Sequence, residues 1–430
     1  IGLHPRDTRR LVDILRALVE RGNTVVVVEH DRDLIEAGDY LVEMGPGSGE
    51  HGGEVVFAGP RDEYLATADT VTTAYLRGER LIHVPERRRP GRLGDLQIVG
   101  ASGNNLKHID VTIPLGNFVC VTGVSGSGKS TLIHDTLYRA LARLFDGGSD
   151  PIARFERLGG VDKLSGVKVV DQSPIGKTPR SNPITYIGAF SEIRSLFVET
   201  GRARAQRMTS GMFSFNVVGG RCENCQGAGF VKVEMHFVAD VYIRCPVCEG
   251  RRYMKKVLDV RYKGMNIHEV LETTVDAGAT FFADRSKIAG KLNLMRDVGL
   301  GYLRLGQPAN TLSGGEAQRL KIAAELAQPS RGHTLYILDE PTTGLHFDEV
   351  RLLIKVLNRL VDAGNSVVVI EHNMELVKTA DHVIDLGPEG GEGGGEVVAS
   401  GTPEEVAAHP TSHTGRVLRE TFRRYDAALD

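Results

Sequence analysis

The sequence predicts an α/β protein of the P-loop NTPase type, one nucleotide-binding cassette with a cysteine-bearing insertion, preceded by the end of another cassette. Three observations predict it. A glycine-rich loop separates an apolar strand from a helix near residue 123, two Cys-x-x-Cys pairs follow, and the chain repeats itself at a constant offset of 342 residues.

The repeat comes first in chain order. Gly2-Leu3-His4 falls on Gly344-Leu345-His346, Glu29-His30 on Glu371-His372, and Gly59 on Gly401, without a gap. Each copy holds a helical stretch (Thr8 to Glu20; Glu349 to Leu360) and an apolar run ending in Glu-His (VVVVEH; VVVIEH) that predicts a buried strand. A Gly-rich turn before Glu-Val-Val completes it. Only the second copy follows a motif-rich region, which starts near residue 97. The expectation is an N-terminally truncated tandem lacking about half of its parent. Residues 1–76 are then the tail of a first cassette. Residues 77–96, with Arg87, Arg88, Arg89 and Arg92 around Pro90-Gly91, predict a flexible, solvated linker.

The 430 residues, 41% hydrophobic and 25% charged, suit a globular protein of two or three domains. No apolar run approaches the roughly 18 residues that span a bilayer, so no membrane role is expected. Four of the five cysteines stand in pairs, which suggests a reducing compartment and a metal rather than disulfides. The net charge of -3 is unevenly spread: residues 174–261 carry 14 Lys/Arg against 7 Asp/Glu. A polyanion partner and a solvated, mixed-charge insertion explain that bias equally well.

The cassette opens at residues 97–172. FVCVTGVSGSGKST contains the Walker A pattern GxxxxGK[ST] at Gly123 to Ser130. Gly123, Ser125, Gly126 and Gly128 let backbone N–H groups wrap phosphate oxygens, Lys129 adds a point charge, and the Ser130 hydroxyl, followed by Thr131, suits Mg²⁺. A purely structural glycine loop is the alternative. TLYILDEP, residues 334–341, is an apolar strand ending in Asp339, suited to Mg²⁺, and Glu340, suited to orienting the attacking water. Cys120, inside the strand before the loop, is expected to be a small buried hydrophobe.

LSGGE at Leu312 to Glu316 resembles the ABC-ATPase signature, with Gln172 and His372 at that family's Q-loop and switch-histidine positions. That resemblance implies ATP sandwiched between Lys129's loop and a signature such as Ser313, Gly314 and Gly315 on an opposing cassette, with His372 sensing the γ-phosphate. Read alone, a histidine that ends a buried strand, as His372 does, is more often structural. The chain has one Walker A and one signature, so it is not expected to build a complete ATP site alone. The turn after Walker B reads TTGLH, unlike the Ser-Ala-Leu-Asp of ABC transporters.

From Lys129 to Ser313 runs longer than in ordinary cassettes, so residues 173–305 are read as an insertion, with 306–430 returning to the cassette. The insertion holds Cys222, Cys225, Cys245 and Cys248, each pair followed by glycine: Gly227 and Gly229, then Gly250. Four thiolates on two knuckles close a tetrahedron around structural Zn²⁺, with redox or disulfide use as the alternative. FVKVEMHF alternates as a hairpin strand does, making residues 220–256 zinc-ribbon-like. Lys232, His236, Arg244, Arg251, Arg252, Lys255 and Lys256 could follow a phosphate backbone.

The tandem, this zinc module, VDQSPIGKTPRSNPITYIG, LGQPANTLSGGEAQRL and LDEPTTGLHF together closely resemble the UvrA family of bacterial nucleotide excision repair. The resemblance covers essentially the whole chain. It implies a cytoplasmic, homodimeric, DNA-dependent ATPase of the SOS and excinuclease system that binds damaged double-stranded DNA by its distortion, loads UvrB and leaves incision to other subunits. The implied DNA contacts are Lys232, Arg244, Arg251 and Arg252, with Lys177 and Arg180 further off. A UvrA-like paralogue with a different DNA role or a resistance or export-linked role is the alternative.

Overall fold

The computed structural model describes residues 3–47, 49, 52–176, 178–233, 235, 241–328 and 332–429. The chain forms two compact units, Ile1–Gln172 with Pro329–Asp430, and Ser173–Gln328. The first unit holds β1 (Tyr40–Gly45), β2 (Glu54–Pro60), β3 (Asp95–Ala101), β4 (Ile109–Pro114), β5 (Phe118–Gly123), β6 (Arg157–Gly159) and β7 (Gly166–Val170). β8 (Phe230–Val233) and β9 (Val241–Arg244) belong to the second unit. β10 (Thr334–Asp339), β11 (Ser366–Ile370), β12 (His382–Gly387) and β13 (Glu396–Gly401) return to the first.

A six-stranded sheet in the order β13-β12-β5-β11-β10-β7 is parallel except for the edge strand β13. The inner strands β5 and β11 are buried at every position. Strands covered on both faces need no alternation, which is why they read as nearly continuous apolar runs. Cys120 lies fully buried within β5, as expected. The antiparallel sheet β4-β3-β6 contributes Leu96, Ile98, Val111 and Ile113 to a core shared with Val119, Val121, Val368, Leu132 and Leu137. Parallel order brings the carboxyl ends of β5, β7, β10 and β11 to one edge, where open α/β sheets place their ligands.

The sequence repeat is also a structural one. The helices Pro5–Glu20 and Phe347–Asp362 both start earlier than apolar periodicity predicts, because the preceding histidine caps them. His4 Nδ1 accepts from Arg6 N and His346 Nδ1 from Asp348 N, each at 3.2 Å. The hairpins β1–β2 and β12–β13 shift register at equivalent places, Glu43/Met44 and Asp385/Leu386.

The repeat breaks at VVVVEH, which is not the buried strand expected. Residues 24–30 are irregular, and Val26 and Val28 are 87% and 90% exposed. Its counterpart β11 is laddered on both sides, by β5 and β10. This sequence contains no first-copy equivalents of those strands, and an apolar run without neighbours has no ladder to join.

Within the arginine-rich stretch Arg87 and Arg92 are exposed as expected, but Arg88 and Arg89 depart from a loose, solvated joint. Arg88 donates to Ala380 O and Lys378 O, both at 2.8 Å, and Arg89 pairs with Asp381 at 3.0 Å and Asp362 at 2.8 Å. Guanidinium forks bind strand-end and helix-end acceptors well, and here those acceptors lie 273 to 292 residues away in sequence.

In the second unit, β8 and β9 form an antiparallel hairpin. Helices Phe190–Val198, Val275–Phe281, Ser286–Asp297 and Gly314–Leu326 surround the buried rings of Phe197, Phe213, Phe215, Tyr253 and Phe282. The signature and the four cysteines thus belong to the same unit.

Candidate nucleotide site and cysteine cluster

β5 ends at Gly123, and the chain turns through Val124 to Gly128 into a helix. Gly123 has φ 134° and Gly128 φ 107°. A Cβ on Gly123 would lie 2.0 Å from Leu386 O, and one on Gly128 2.8 Å from Leu106. Only glycine fits positions 123 and 128. Gly126 is braced from outside: Asn105 Nδ2 donates to Gly126 O at 2.9 Å and to Gly391 O at 3.0 Å. Ser125 N donates to Asp7 Oδ2 at 3.4 Å, Ser130 is exposed, and Thr131 Oγ1 accepts from Asn104 at 3.1 Å.

Lys129 is buried, and its ammonium donates to Gly123 O and Val124 O, both at 2.9 Å. Burial lowers its pKa to about 8, against the opposing pull of Glu340, Asp385, Asp339 and Asp7. The P-loop lysine therefore lies in the field of the carboxylates at the end of β10.

Those carboxylates are fixed by the neighbouring strands. His134 Nε2 lies 3.0 Å from Asp339 Oδ2. Glu340 sits at φ 41°, an uncommon backbone for its type, and its N–H donates to Ile370 O at 2.9 Å. Gln172 Nε2 donates to Glu340 O at 3.2 Å, and His372 Nε2 stands 3.6 Å from Glu340 Oε1. Gln172, Glu340 and His372, far apart in sequence, meet at one edge of the sheet.

Glu371 holds this corner together. Its carboxylate accepts from His372 N at 2.8 Å, Asn373 N at 3.1 Å and Thr342 N at 3.2 Å, tying the turn after β11 to the turn after β10. Burial pushes its carboxyl up from the ordinary range. His134, Asn105 and Glu371 are not among the site residues that the motifs predict. Glu371 was signalled by the repeated Glu-His pair, whereas nothing in local sequence marks Asn105. Glycine-loop amides at a helix start, an ammonium, a hydroxyl and two carboxylates make a donor set that fits a nucleoside triphosphate with Mg²⁺.

The four cysteines converge. Their sulfurs all lie within 4.8 Å of one another and all four residues are buried. Cys222 and Cys245 sulfurs are 3.9 Å apart and those of Cys225 and Cys248 3.6 Å. These distances exclude S–S bonds of about 2.05 Å and match the roughly 3.8 Å edge of a tetrahedron with Zn–S of about 2.3 Å. Gly227, at φ 81°, makes the first knuckle possible, since a Cβ there would lie 1.8 Å from Phe215 O. Gly229 N donates to Cys225 Sγ at 3.3 Å and Asn224 Nδ2 to Cys245 Sγ at 3.2 Å, partners that suit thiolates.

No protein-family model matches the chain. Individual proteins do. UvrABC system protein A of Aquifex aeolicus is 55% identical over 424 residues, 99% of this chain and 46% of its own length. That of Thermus thermophilus is 58% identical over 432 residues, 100% of this chain and 45% of its own. The chain belongs to the UvrA family. It spans somewhat less than half the length of these relatives. The crystal structure of UvrA2 from Deinococcus radiodurans agrees at TM-score 0.91 and 49% identity, over 97% of this chain and 51% of that one. The UvrA-family fold here is an α/β ABC-ATPase cassette with an inserted four-cysteine module, preceded by the end of a first cassette.

The signature of this UvrA-family chain opens the helix Gly314–Leu326. Ser313 is its exposed N-cap in a reciprocal capping box: Ser313 Oγ accepts from Glu316 N at 3.2 Å and Ser313 N donates to Glu316 Oε2 at 2.7 Å. Gly314 and Gly315 form its first turn, where N–H groups point outward and the helix dipole favours an anion.

The basic residues of the UvrA-family insertion divide. Lys232 and Arg244 are exposed on β8 and β9, Arg251 is exposed beside Glu249, and Arg180 is half-buried. Lys177 and His236 lie outside the described residues. Arg252 corrects its sequence reading: it is 4% exposed, donates to Gly306 O at 3.0 Å and stacks 5.6 Å from the centre of the Phe215 ring. A guanidinium so enclosed braces the fold and has no surface to offer a phosphate.

Proposed function

We propose that this UvrA-family chain binds and hydrolyses ATP within a DNA-damage-recognition ATPase of nucleotide excision repair. The observation that carries the nucleotide reading is the meeting of Gln172, Glu340 and His372 beside the Lys129 loop, within a sequence 55–58% identical to UvrABC system protein A.

Gly123, Ser125, Gly126 and Gly128 shape the loop whose amides receive phosphate oxygens, and Lys129 exchanges its backbone acceptors for the β- and γ-phosphates. Ser130, Thr131, Asp339 and Gln172 attend Mg²⁺. Glu340 orients the attacking water and His372 donates toward the γ-phosphate. Ser313, Gly314 and Gly315 offer their helix N-terminus to the γ-phosphate of an opposing cassette, so complete sites form only with a further cassette. Mg²⁺ supplies charge neutralisation at the phosphates when bound.

Cys222, Cys225, Cys245 and Cys248 hold a structural Zn²⁺, with no open coordination position for catalysis. Lys232, Arg244 and Arg251, with Lys177 and Arg180 more peripheral, contact the backbone of damaged double-stranded DNA. Recognition by distortion follows from the family and suits a basic insertion that meets the DNA backbone. A homodimer that loads UvrB and leaves incision to other subunits, in a cytoplasmic excinuclease system, follows from the family. Among the described residues no helix is long and apolar enough to cross a membrane.

The test is fluorescence anisotropy of a labelled duplex, with and without one bulky adduct, titrated with the chain and ATP at a fixed, stated salt concentration. Tighter binding to the adduct duplex is expected. Equal binding to both would remove damage recognition from this chain, and no binding would remove DNA.

A further inference from the structure

We infer that the first copy's His4 turn is a positioning element for the second copy's nucleotide loop, acting through a buried chain of hydrogen bonds from His4 through Thr414 and Asp385 to Thr122. The inference rests on the proposed nucleotide reading of Gly123 to Ser130.

The direction of the chain follows from its donors. His4 Nδ1 accepts from Arg6 N, so Nε2 carries the proton and donates to Thr414 Oγ1 at 3.2 Å. Thr414 Oγ1 then donates to Asp385 Oδ1 at 2.6 Å, and the same oxygen accepts from Thr122 Oγ1 at 2.9 Å. Ser412 Oγ satisfies Asp385 Oδ2 at 2.6 Å. His4, Thr414 and Thr122 have no exposed surface, and Asp385 is 2% exposed. Burial, with His372 next in importance, lowers the His4 pKa to about 3 and keeps the ring neutral, as the chain requires. Thr122 is the residue before Gly123, so the chain ends at the foot of the P-loop.

Two further contacts press the same turn on the same loop. Asp7 accepts from Ser125 N, and the His4 ring meets the His372 ring edge-on with centres 6.1 Å apart. Two residues of one copy's turn thus meet the other copy, Asp7 at the phosphate loop and His4 at the His372 ring.

The repeat supplies independent support. The 342-residue offset carries His4 to His346, Thr72 to Thr414 and Glu43 to Asp385. The mirror chain exists: His346 Nε2 meets Thr72 Oγ1 at 3.0 Å, and Thr72 Oγ1 donates to Glu43 Oε1 at 2.5 Å. Each copy's capping histidine is seated in the other copy's threonine–carboxylate pair. At its far end Glu43 Oε2 accepts from Tyr64 OH at 2.8 Å. Within this chain the His4 latch ends beside residues 123–130 and the His346 latch ends at Tyr64, so the second latch serves as the control.

Loss of one buried hydrogen bond is worth roughly a tenfold change in an equilibrium. The experiment measures the affinity of the 430-residue chain for a fluorescent ATP analogue, together with Tm, in Thr414→Val, Thr414→Ser and Thr72→Val. Thr414→Val is expected to weaken nucleotide binding about tenfold, Thr414→Ser to stay within about twofold, and Thr72→Val to lower Tm comparably while leaving affinity within about twofold. If Thr414→Val and Thr72→Val lower Tm alike and neither moves affinity, the latches only hold the copies together and the inference fails. Should Thr414→Val not fold, His4→Ala gives the same reading: weakened binding supports the inference, and unchanged binding overturns it. If the unaltered chain binds no nucleotide, or binds it undiminished in Lys129→Ala, the nucleotide reading falls first and this inference with it.

Discussion

His372 holds its Nε2 3.6 Å from Glu340 Oε1, at the ends of two adjacent parallel strands. The pair is set by backbone as much as by side chain. Glu340 N donates to Ile370 O, and Glu371 ties the segment after His372 to the segment after Glu340. A histidine placed this way can exchange the carboxylate for a phosphate oxygen without moving its strand.

Holding phosphate and orienting water are separable tasks. Lys129→Ala is expected to weaken binding of a fluorescent ATP analogue by about 10- to 100-fold, the loss of a charge-assisted hydrogen bond. Glu340→Gln, which keeps shape and removes only charge, should change affinity by less than about threefold while lowering any hydrolysis by about 10²-fold or more. Equal losses of affinity in both would refute this division.

Lys129 also predicts a proton count. Its pKa is lowered from 10.5 to about 8. Triphosphate at the ammonium favours the charged form, so binding raises the pKa. Between about pH 8 and 10, where the unliganded lysine is partly neutral, nucleotide binding should take up protons; near pH 7 the lysine is already charged and uptake from it vanishes. Isothermal titration calorimetry at pH 9 and pH 7, in buffers of different ionisation enthalpy, reads this directly. Buffer-independent heats at pH 9 would contradict it.

The cysteine cluster predicts about one zinc per chain. Cys245→Ser, or a strong chelator, should remove the metal and lower the stability of the second unit by several kcal/mol, seen as loss of its thermal transition and rapid proteolysis within residues 173–328. Metal-free protein that retains full protection there would show that the hairpin stands on packing alone.

Arginine neighbours should separate. Arg251→Ala, on the surface, is expected to reduce the salt dependence of DNA binding by about one unit of log–log slope and leave Tm unchanged within error. Arg252→Ala should do the reverse, lowering stability by about 1–3 kcal/mol through the lost bond to Gly306 O and the lost ring contact, with the slope of the folded fraction unaltered. A shared effect on slope would mean that Arg252 leaves its buried seat when DNA binds.

Local spacing by itself determined the Walker A loop, the strand ending in Asp339 and Glu340, the capped signature helix and the two cysteine knuckles. Each is specified within a few residues by glycine conformation, helix capping or ligand geometry. The 342-residue offset likewise determined that two copies share a fold, and it aligns the histidine, carboxylate and threonine common to the two latches, His4, Glu43 and Thr72 with His346, Asp385 and Thr414. Tertiary structure decided what composition could not. VVVVEH and VVVIEH are near-identical, yet only the one with strands on both sides is buried, because a strand's hydrogen bonds are made by its neighbours. Arg251 and Arg252 are indistinguishable as adjacent charges, and only packing turned one toward solvent and the other onto Phe215. The latches crossed between copies for the same reason: which threonine a histidine meets depends on how two surfaces fit, a long-range property that no single window of sequence contains.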